Sequence, residues 1–382
     1  GYGYLYALLE DRDIYLRRIS ATSGAALGGA VIAGILNKQD DYDSGREKAM
    51  EGLNSFKNDI ARRSKTMMQF LRYRASKRNI HWDDSDPNIP QALMDELEYY
   101  SQLRETARNT FNVASGRAGI DMIQNLSLAC SSTNCLLTPQ AAGLAMITQA
   151  WGAVIDATPV SRMLNYDPLA KIIDKNVNDY ASINNARHIG LFVNVTDATD
   201  PNNMQNKIYS PEDISRTVLR GTCNLRELRQ TVTLDGRQIL DGGYMANPSF
   251  EPIFNRPDPD RTSTLMIATN EMPADITPGK QSAFKQDMAL YEAMHEEAIN
   301  EFIDHAQNGD DCHLVVMPPN LGMDHTAILN TEQWWLDKLF NLGYEQAKAD
   351  LPDLKANFGR RSTYHRHIPD YGSGTPDLKI AG

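Results

Sequence analysis

The feature that most constrains this chain is a serine between a short strand signal and a long run of small residues. The segment Ile14–Ile19 alternates apolar and polar side chains, which predicts a strand. The segment Ala25–Leu36 is rich in alanine, glycine and aliphatic residues, which predicts a tightly packed helix. Ser23 lies between the two. A strand that turns directly into a buried helix is typical of the opening of an α/β fold.

At such a turn a serine can be presented as a nucleophile, because its hydroxyl points out of the sheet edge toward the N–H groups that begin the helix. The usual nucleophile elbow reads Gly-x-Ser-x-Gly. Here Ala21 and Ala25 occupy both outer glycine positions, and Thr22 precedes the serine. The alternative is an ordinary buried helix start in which Thr22 or Ser23 is the N-cap. These residues alone leave both interpretations open.

A second motif follows a predicted hairpin far along the chain. Residues Leu234–Leu240 surround an Asp-Gly pair, which predicts a tight turn between two strands. The second strand runs directly into Asp241, Gly242 and Gly243. An aspartate followed by two glycines at a strand end indicates a crowded turn where backbone approaches backbone. An ordinary Asx-type turn is the alternative.

The serine and aspartate motifs together resemble those of the patatin-like phospholipases, in particular a bacterial branch of that family. The family uses a serine–aspartate dyad, with the serine in an elbow and the aspartate in an Asp-Gly-Gly or Asp-Gly-Ala turn. The resemblance therefore implies that Ser23 is the nucleophile and Asp241 the base. It extends to Gly1–Asp11, which resembles the first helix of the family, and to Leu191–Asp197, which resembles a core strand.

The resemblance covers most of residues 1–36 and 160–362. It implies an α/β, patatin-like three-layer fold with a mainly parallel sheet, a nucleophile elbow and an inserted helical lid region. Residues 1–362 are expected to form a single hydrolase domain. Apolar residues that recur every three or four positions predict a helical insertion at about 47–156. Residues 363–382 are polar and are expected to form a C-terminal tail.

The resemblance also implies a reaction. Asp241 would accept the Ser23 proton as the serine oxygen attacks an ester carbonyl, and backbone N–H groups would hold the oxyanion. The expected donors are Gly24, which follows the nucleophile, and Gly1, as the last residue of a glycine-rich loop. The rest of that loop would precede Gly1, so the chain is expected to be a fragment or a trimmed form. No cofactor and no metal is implied.

Three functions from different classes remain open at this stage. The first is a lipid acyl hydrolase of the phospholipase A or lysophospholipase type, acting on lipid or other acyl esters. The second is an ordinary α/β-hydrolase with the chain order Ser-Asp-His, whose histidine would be one of His305, His313 and His325. The third is a degenerate patatin fold that binds lipid or a partner without catalysis. The elbow alanines and the altered segment Val218–Leu225 are the features that would mark this last alternative, and the acyl hydrolase is the favoured interpretation.

The charge and cysteine content restrict the partners further. The net charge of −11 over 382 residues disfavours nucleic-acid binding, which needs concentrated lysine and arginine. The four cysteines form no Cys-x-x-Cys pair and have no zinc-site spacing with histidine. A cytoplasmic location is the default expectation. Secretion stays open because residues are expected before Gly1, and the oligomeric state is left open.

One stretch of the predicted insertion is basic, and it interleaves cations with methionine and phenylalanine. It could be an interfacial helix that makes a peripheral contact with lipid headgroups. It could equally be a solvated helix whose methionines face the core, and this second interpretation is favoured. The cations are Arg62, Arg63, Lys65, Arg72, Arg74, Lys77 and Arg78.

Overall fold

A computed structural model gives the fold. It describes residues 1–95, 167–177, 179–225, 232–255, 263–268, 283–316, 326–327 and 330–359. The helices are α1 (Tyr2–Glu10), α2 (Ser23–Leu36), α3 (Tyr42–Lys77), α4 (Asp167–Asn176), α5 (Tyr180–Asn185), α6 (Arg216–Gly221), α7 (Glu251–Phe254), α8 (Ala283–Gln307) and α9 (Gln333–Asn357). The strands are β1 (Arg18–Ala21), β2 (Gly190–Asp197), β3 (Gln205–Tyr209), β4 (Val232–Leu234), β5 (Arg237–Asp241), β6 (Thr264–Ala268) and β7 (Cys312–Val316).

Two sheets are formed by these strands. The larger runs in the order β1-β2-β5-β4, and β3 pairs with β2 outside this path. Strands β1 and β2 are parallel, with Ile19 opposite Leu191. Strand β5 is antiparallel to β2 and brings Asp241 opposite Val195. Strands β6 and β7 form a separate parallel pair.

The expectation of a mainly parallel sheet is wrong for the larger sheet. Its β1–β2 pair is parallel, whereas the β2–β3, β2–β5 and β4–β5 pairs are antiparallel. For β4 and β5 the cause is local: the Asp-Gly hairpin sends β5 back along β4, and a two-residue turn of this kind can only join antiparallel strands. The fold is therefore mixed α/β with a partly parallel sheet. The three-layer arrangement stays a prediction.

Helix α2 forms the centre of the main core. Small residues dominate it, so neighbouring elements approach its backbone closely, and Ala26, Ala30 and Ala33 are completely buried. It packs against α3 and β2, whose Leu191 and Val193 are also completely buried. The predicted helix after Ser23 is confirmed. The predicted strand before it is displaced, because β1 covers Arg18–Ala21 and not Ile14–Ile19.

The connection between α1 and β1 is held by Arg46 of α3, which is only 4% exposed. Its guanidinium lies over the rings of Tyr15 and Tyr42 at 4.6 and 4.7 Å. It also donates to the carbonyl oxygens of Leu9 and Ile14 at 3.1 and 2.7 Å. We call this arrangement the Arg46 anchor. It secures the segment that leads into β1, and hence the position of Ser23.

The predicted helical insertion is described only in part. Helix α3 runs unbroken from Tyr42, before the expected boundary at about residue 47, and residues 96–166 lie outside the described part. In the basic stretch, Met68 and Leu71 are buried, and Arg72 binds Glu332 at 2.9 Å. These contacts favour the solvated-helix interpretation. The single-domain boundary stays a prediction, and the tail at 363–382 lies outside the described residues.

Two absences concern only the ranges given above. None of their helices combines the length and the apolar character that crossing a bilayer requires. Their His, Cys, Asp and Glu side chains form no cluster of three or more that is suited to a metal ion.

Candidate active site

Ser23 occupies a strained turn between β1 and α2. Its φ is 55°, in the left-handed region that side chains other than glycine rarely adopt. Thr22 before it is extended, with φ −124° and ψ 149°. Three other described non-glycine residues share a positive φ, and they lie at helix ends or in the hairpin turn: Asn79, Ala186 and Asp235. Ser23 differs from these three because it is the first residue of a helix. Backbone strain at such a position is typical of functional sites.

The elbow alanines do not obstruct this turn. Neither Ala21 nor Ala25 has a positive φ, since Ser23 itself takes the left-handed conformation. Ala25 and Gly24 are exposed, so the first turn of α2 is open to solvent beside the serine. The Gly24 carbonyl accepts a hydrogen bond from the Tyr2 hydroxyl. The start of α1, where Gly1 is the N-cap residue, is thereby tied to the start of α2.

The backbone of Ser23 is held from the side of the sheet. Its N–H donates to Thr222 Oγ1 at 2.9 Å, and Thr222 Oγ1 donates to the Asn194 carbonyl at 2.8 Å. The Thr22 hydroxyl donates to the Asn194 side chain, whose Nδ2 donates to the Ala246 carbonyl at 2.7 Å. Thr22 is the N-cap of α2 by position, but its side chain makes no capping bond. The elbow is therefore fixed by a buried polar network.

Asp241 ends β5 and is completely buried. Its backbone N–H donates to the Asn224 carbonyl at 2.9 Å, and its carbonyl accepts from Thr196 Oγ1 at 2.8 Å. Its side-chain Oδ1 accepts from the Gly243 N–H at 2.9 Å. Two of these bonds hold the backbone of Asp241, and the third orients its carboxyl group.

The Ser23 and Tyr291 hydroxyls both lie near enough to the Asp241 carboxyl to affect its pKa. Burial raises the pKa of this carboxyl to about 6, and the Gly243 N–H together with the nearby Ser23 and Tyr291 hydroxyls opposes the rise. No hydrogen bond of standard geometry closes on Oδ2, although both hydroxyls lie near enough to act on the carboxyl. Long hydrogen bonds are common in resting active sites and tighten when a substrate binds.

The two glycines of the aspartate motif allow close approaches that no other residue would permit. A Cβ on Gly242 would lie 2.4 Å from the Asn194 carbonyl oxygen. A Cβ on Gly243 would lie 2.3 Å from the ring of Tyr291. The motif therefore compresses the loop after Asp241 between β2 and α8. An unconstrained Asx turn would need neither glycine.

Cys223 lines the same site. It is partly exposed, and its thiol lies close enough to Ser23 and Asp241 for both to affect its pKa. Burial of the sulfur and the charge of Asp241 raise the pKa of the thiol well above its usual value. The thiol is thus kept neutral beside the serine, which makes Cys223 a poor competitor for the role of nucleophile.

Sequence reasoning did not find Thr222, Asn194, Cys223 or Tyr291 as members of the site. Thr222 and Cys223 lie in the segment Val218–Leu225 that looked altered, so their position had been noticed but not their role. Asn194 was detectable in principle, because an amide inside a buried strand must be hydrogen-bonded. Tyr291 carries no local signal on its helix.

The described histidines do not complete a triad at Ser23. His305 Nδ1 lies 2.9 Å from Asp310, and its ring stacks on Phe254 at 3.7 Å. His313 lies 3.0 Å from Asp311 at the start of β7. His325 is outside the described residues. Among the described residues, the side chains that lower the pKa of the Asp241 carboxyl are the hydroxyls of Ser23 and Tyr291, and none is a histidine.

Comparisons with known proteins add little to this geometry. No family model matches the chain, and no curated protein matches it. Among solved structures, the chain is similar to VipD from Legionella pneumophila, with 14% sequence identity and a TM-score of 0.36. The similarity covers 94% of this chain but only 64% of the VipD chain. Function must be argued from the site itself, because similarity at this level defines no activity.

Proposed function

We propose that this protein is a serine hydrolase of carboxylic acyl esters, with Ser23 as the nucleophile and Asp241 as the general base. One observation carries the proposal: a serine held in a strained strand-to-helix turn lies against a completely buried carboxyl group. A serine hydroxyl is a weak nucleophile until a positioned base accepts its proton. A carboxyl with a pKa of about 6 is ionised at neutral pH, yet is a stronger base than an ordinary aspartate.

The reaction would proceed through an acyl-enzyme. Ser23 Oγ attacks the ester carbonyl while its proton passes to Asp241, and the negative charge develops on the carbonyl oxygen. The exposed first turn of α2 offers free backbone N–H groups and the positive end of the helix dipole to that oxygen. The donor next to the nucleophile is Gly24, and Gly1 is proposed as a second. Asp241 returns the proton to the departing alcohol, and water then cleaves the acyl-serine.

The substrate class is proposed to be lipid acyl esters, namely phospholipids or lysophospholipids. This part rests on the resemblance of the Ser23 and Asp241 motifs to the patatin-like phospholipases. A cytoplasmic protein that contacts membranes peripherally would fit such substrates. Release of fatty acid from phosphatidylcholine vesicles would support the lipid substrate. Cleavage of a water-soluble p-nitrophenyl ester, with vesicles left intact, would support a general esterase.

Labelling with a fluorophosphonate tests the catalytic assignment, because the probe reacts with an activated serine. We expect the label on Ser23, its loss in Ser23→Ala, and strongly reduced labelling in Asp241→Asn. Ser20→Ala is the matched control, since that nearby hydroxyl already donates to the Ser249 carbonyl. Unlabelled wild-type protein, or full labelling of Ser23→Ala, would refute the proposal and favour a fold that binds without catalysis.

A further inference from the structure

Helix α8 covers the loop that follows Asp241. The ring of Tyr291 packs against Gly243 and meets the ring of Tyr244 edge-on, with centroids 4.9 Å apart. One turn further along the helix, His295 Nδ1 lies 3.1 Å from the Asn247 carbonyl oxygen. Side chains four apart share one face of a helix, so a single face of α8 makes both contacts. The position of the Asp241 carboxyl therefore depends on this helix.

The two carboxylate oxygens of Asp241 have different surroundings. Oδ1 accepts from the Gly243 N–H, whereas Oδ2 is buried and closes no hydrogen bond of standard geometry. The Tyr291 hydroxyl is also buried and, like the Ser23 hydroxyl, lies near enough to lower the pKa of this carboxyl. When Asp241 takes the serine proton, Tyr291 is the donor that does not take part in the transfer.

We propose that Tyr291 is a positioning residue, whose hydroxyl keeps the Asp241 carboxylate ionised and oriented toward Ser23. This inference rests on the proposed function, in which Asp241 is the base. A phenol ordinarily keeps its proton up to about pH 10, so it stabilises a carboxylate by donating a hydrogen bond and not by transferring the proton. Rotation of the carboxyl away from Ser23 would break that hydrogen bond, so the same contact fixes its direction.

The other groups around the carboxyl determine how the inference must be tested. Ser23 faces it from α2 and Cys223 from the segment after α6, and the Cys223 thiol stays neutral because its pKa is raised. Strand β2 contributes the uncharged Thr196 and Asn194. Helix α8 contributes the imidazole of His295 at the next turn. The titration must therefore be read from the carboxyl itself.

The test compares Tyr291→Phe with Tyr244→Phe, which removes a hydroxyl from the neighbouring ring. Infrared difference spectra recorded across a pH titration report the protonated carboxyl, and Asp241→Asn identifies its band. We expect the midpoint to rise by about one pH unit in Tyr291→Phe, the size of a lost hydrogen bond to a charged group. It should not move in Tyr244→Phe.

Ester hydrolysis gives an independent readout. In Tyr291→Phe we expect kcat/KM to fall about tenfold on the acidic side of the wild-type midpoint, and to approach the wild-type value at high pH. An unmoved infrared midpoint overturns the inference, and an equal loss of activity at every pH overturns it in favour of simple packing. A midpoint that moves in a protein hydrolysing no ester supports the Tyr291–Asp241 contact and refutes the proposed function instead.

Discussion

Arg46 and Asp241 are both charged side chains that the fold removes from water, and their surroundings differ in how completely they are hydrogen-bonded. The Arg46 guanidinium makes five hydrogen bonds, which matches its five N–H donors. The Asp241 carboxyl has one oxygen bound to Gly243 and a second, Oδ2, with no closed hydrogen bond.

Under the proposed function, this difference separates a structural charge from a reactive one. Removing a charge from water is costly, and full hydrogen bonding offsets that cost around Arg46. Around Asp241 the cost is offset only in part, which raises the pKa of the carboxyl and leaves an oxygen ready to accept a proton. The two sites should therefore respond to mutation in opposite ways, one in stability and the other in activity.

The largest expected effect is the loss of activity in Asp241→Asn. We expect kcat/KM for an acyl ester to fall by roughly three orders of magnitude or more, because the base is lost while the shape of the side chain is kept. Ser23→Ala should lose as much, and the double variant should be hardly worse than either single one. Losses that multiply would show that the two residues do not act as a unit. Steady-state kinetics and thermal melting measure activity and folding separately.

The opposite effect is expected at the Arg46 anchor. Arg46→Met should lower the free energy of unfolding by about 3–5 kcal/mol, because buried carbonyl groups lose their donor and a buried cation is removed from its partners. Arg46→Lys, which keeps the charge but loses the five-donor geometry, should lie between this variant and the wild type. Urea denaturation measures both. A large fall in kcat, measured per folded molecule, would contradict a purely structural role for Arg46.

The raised pKa of Asp241 predicts a pH dependence of stability. Its folded pKa of about 6 exceeds the ordinary aspartate pKa of 3.8, so the folded protein binds the proton more tightly than the unfolded chain does. The stabilisation is fully present below about pH 4 and is lost as the pH rises to about 6, amounting to about 3 kcal/mol. The rate should change in the other direction and increase through about pH 6 as Asp241 ionises. Asp241→Asn should remove this component of the stability profile, and an identical profile in that variant would contradict the assignment.

Thr222→Val should have a smaller effect, because it removes one hydroxyl and keeps the volume nearly unchanged. The Ser23 N–H and the Asn194 carbonyl would both lose a partner, at a cost of about 1–3 kcal/mol in unfolding free energy. The elbow would be less well positioned, and we expect kcat to fall about tenfold. Thr222→Ser is the matched control and should recover most of both losses. If Thr222→Val retained full activity, the elbow would not depend on this hydrogen bond.

The smallest effect is expected for Ala25→Gly. Ala25 occupies a position that is glycine in the usual elbow, so the motif alone suggests a crowded turn that a glycine would relieve. The left-handed conformation belongs to Ser23, and Ala25 is an exposed helical residue. We now expect kcat/KM to stay within about twofold and stability to fall by about 0.5–1 kcal/mol, the usual cost of glycine in a helix. A large rate increase would restore the idea of a crowded elbow.

The local elements were predictable to the extent that their signals are local. The run of small residues after Ser23 predicted α2, and the Asp-Gly pair predicted the hairpin of β4 and β5, because both depend on nearest neighbours in the chain. The direction of strand pairing was not predictable in this way. The expectation of a mainly parallel sheet came from the family resemblance, whereas β5 pairs with β2 in the antiparallel direction.

The sequence by itself determined which residues can carry the chemistry: a serine at a strand-to-helix turn and an aspartate followed by two glycines. Only the tertiary structure decided that Ser23 and the Asp241 carboxyl meet, and that Thr222, Cys223 and Tyr291 surround them. It also decided that Asp241 is buried and Arg46 is saturated with hydrogen bonds. The physical reason is that a pKa and a hydrogen-bond count depend on every neighbour in space, and most of these neighbours are distant along the chain.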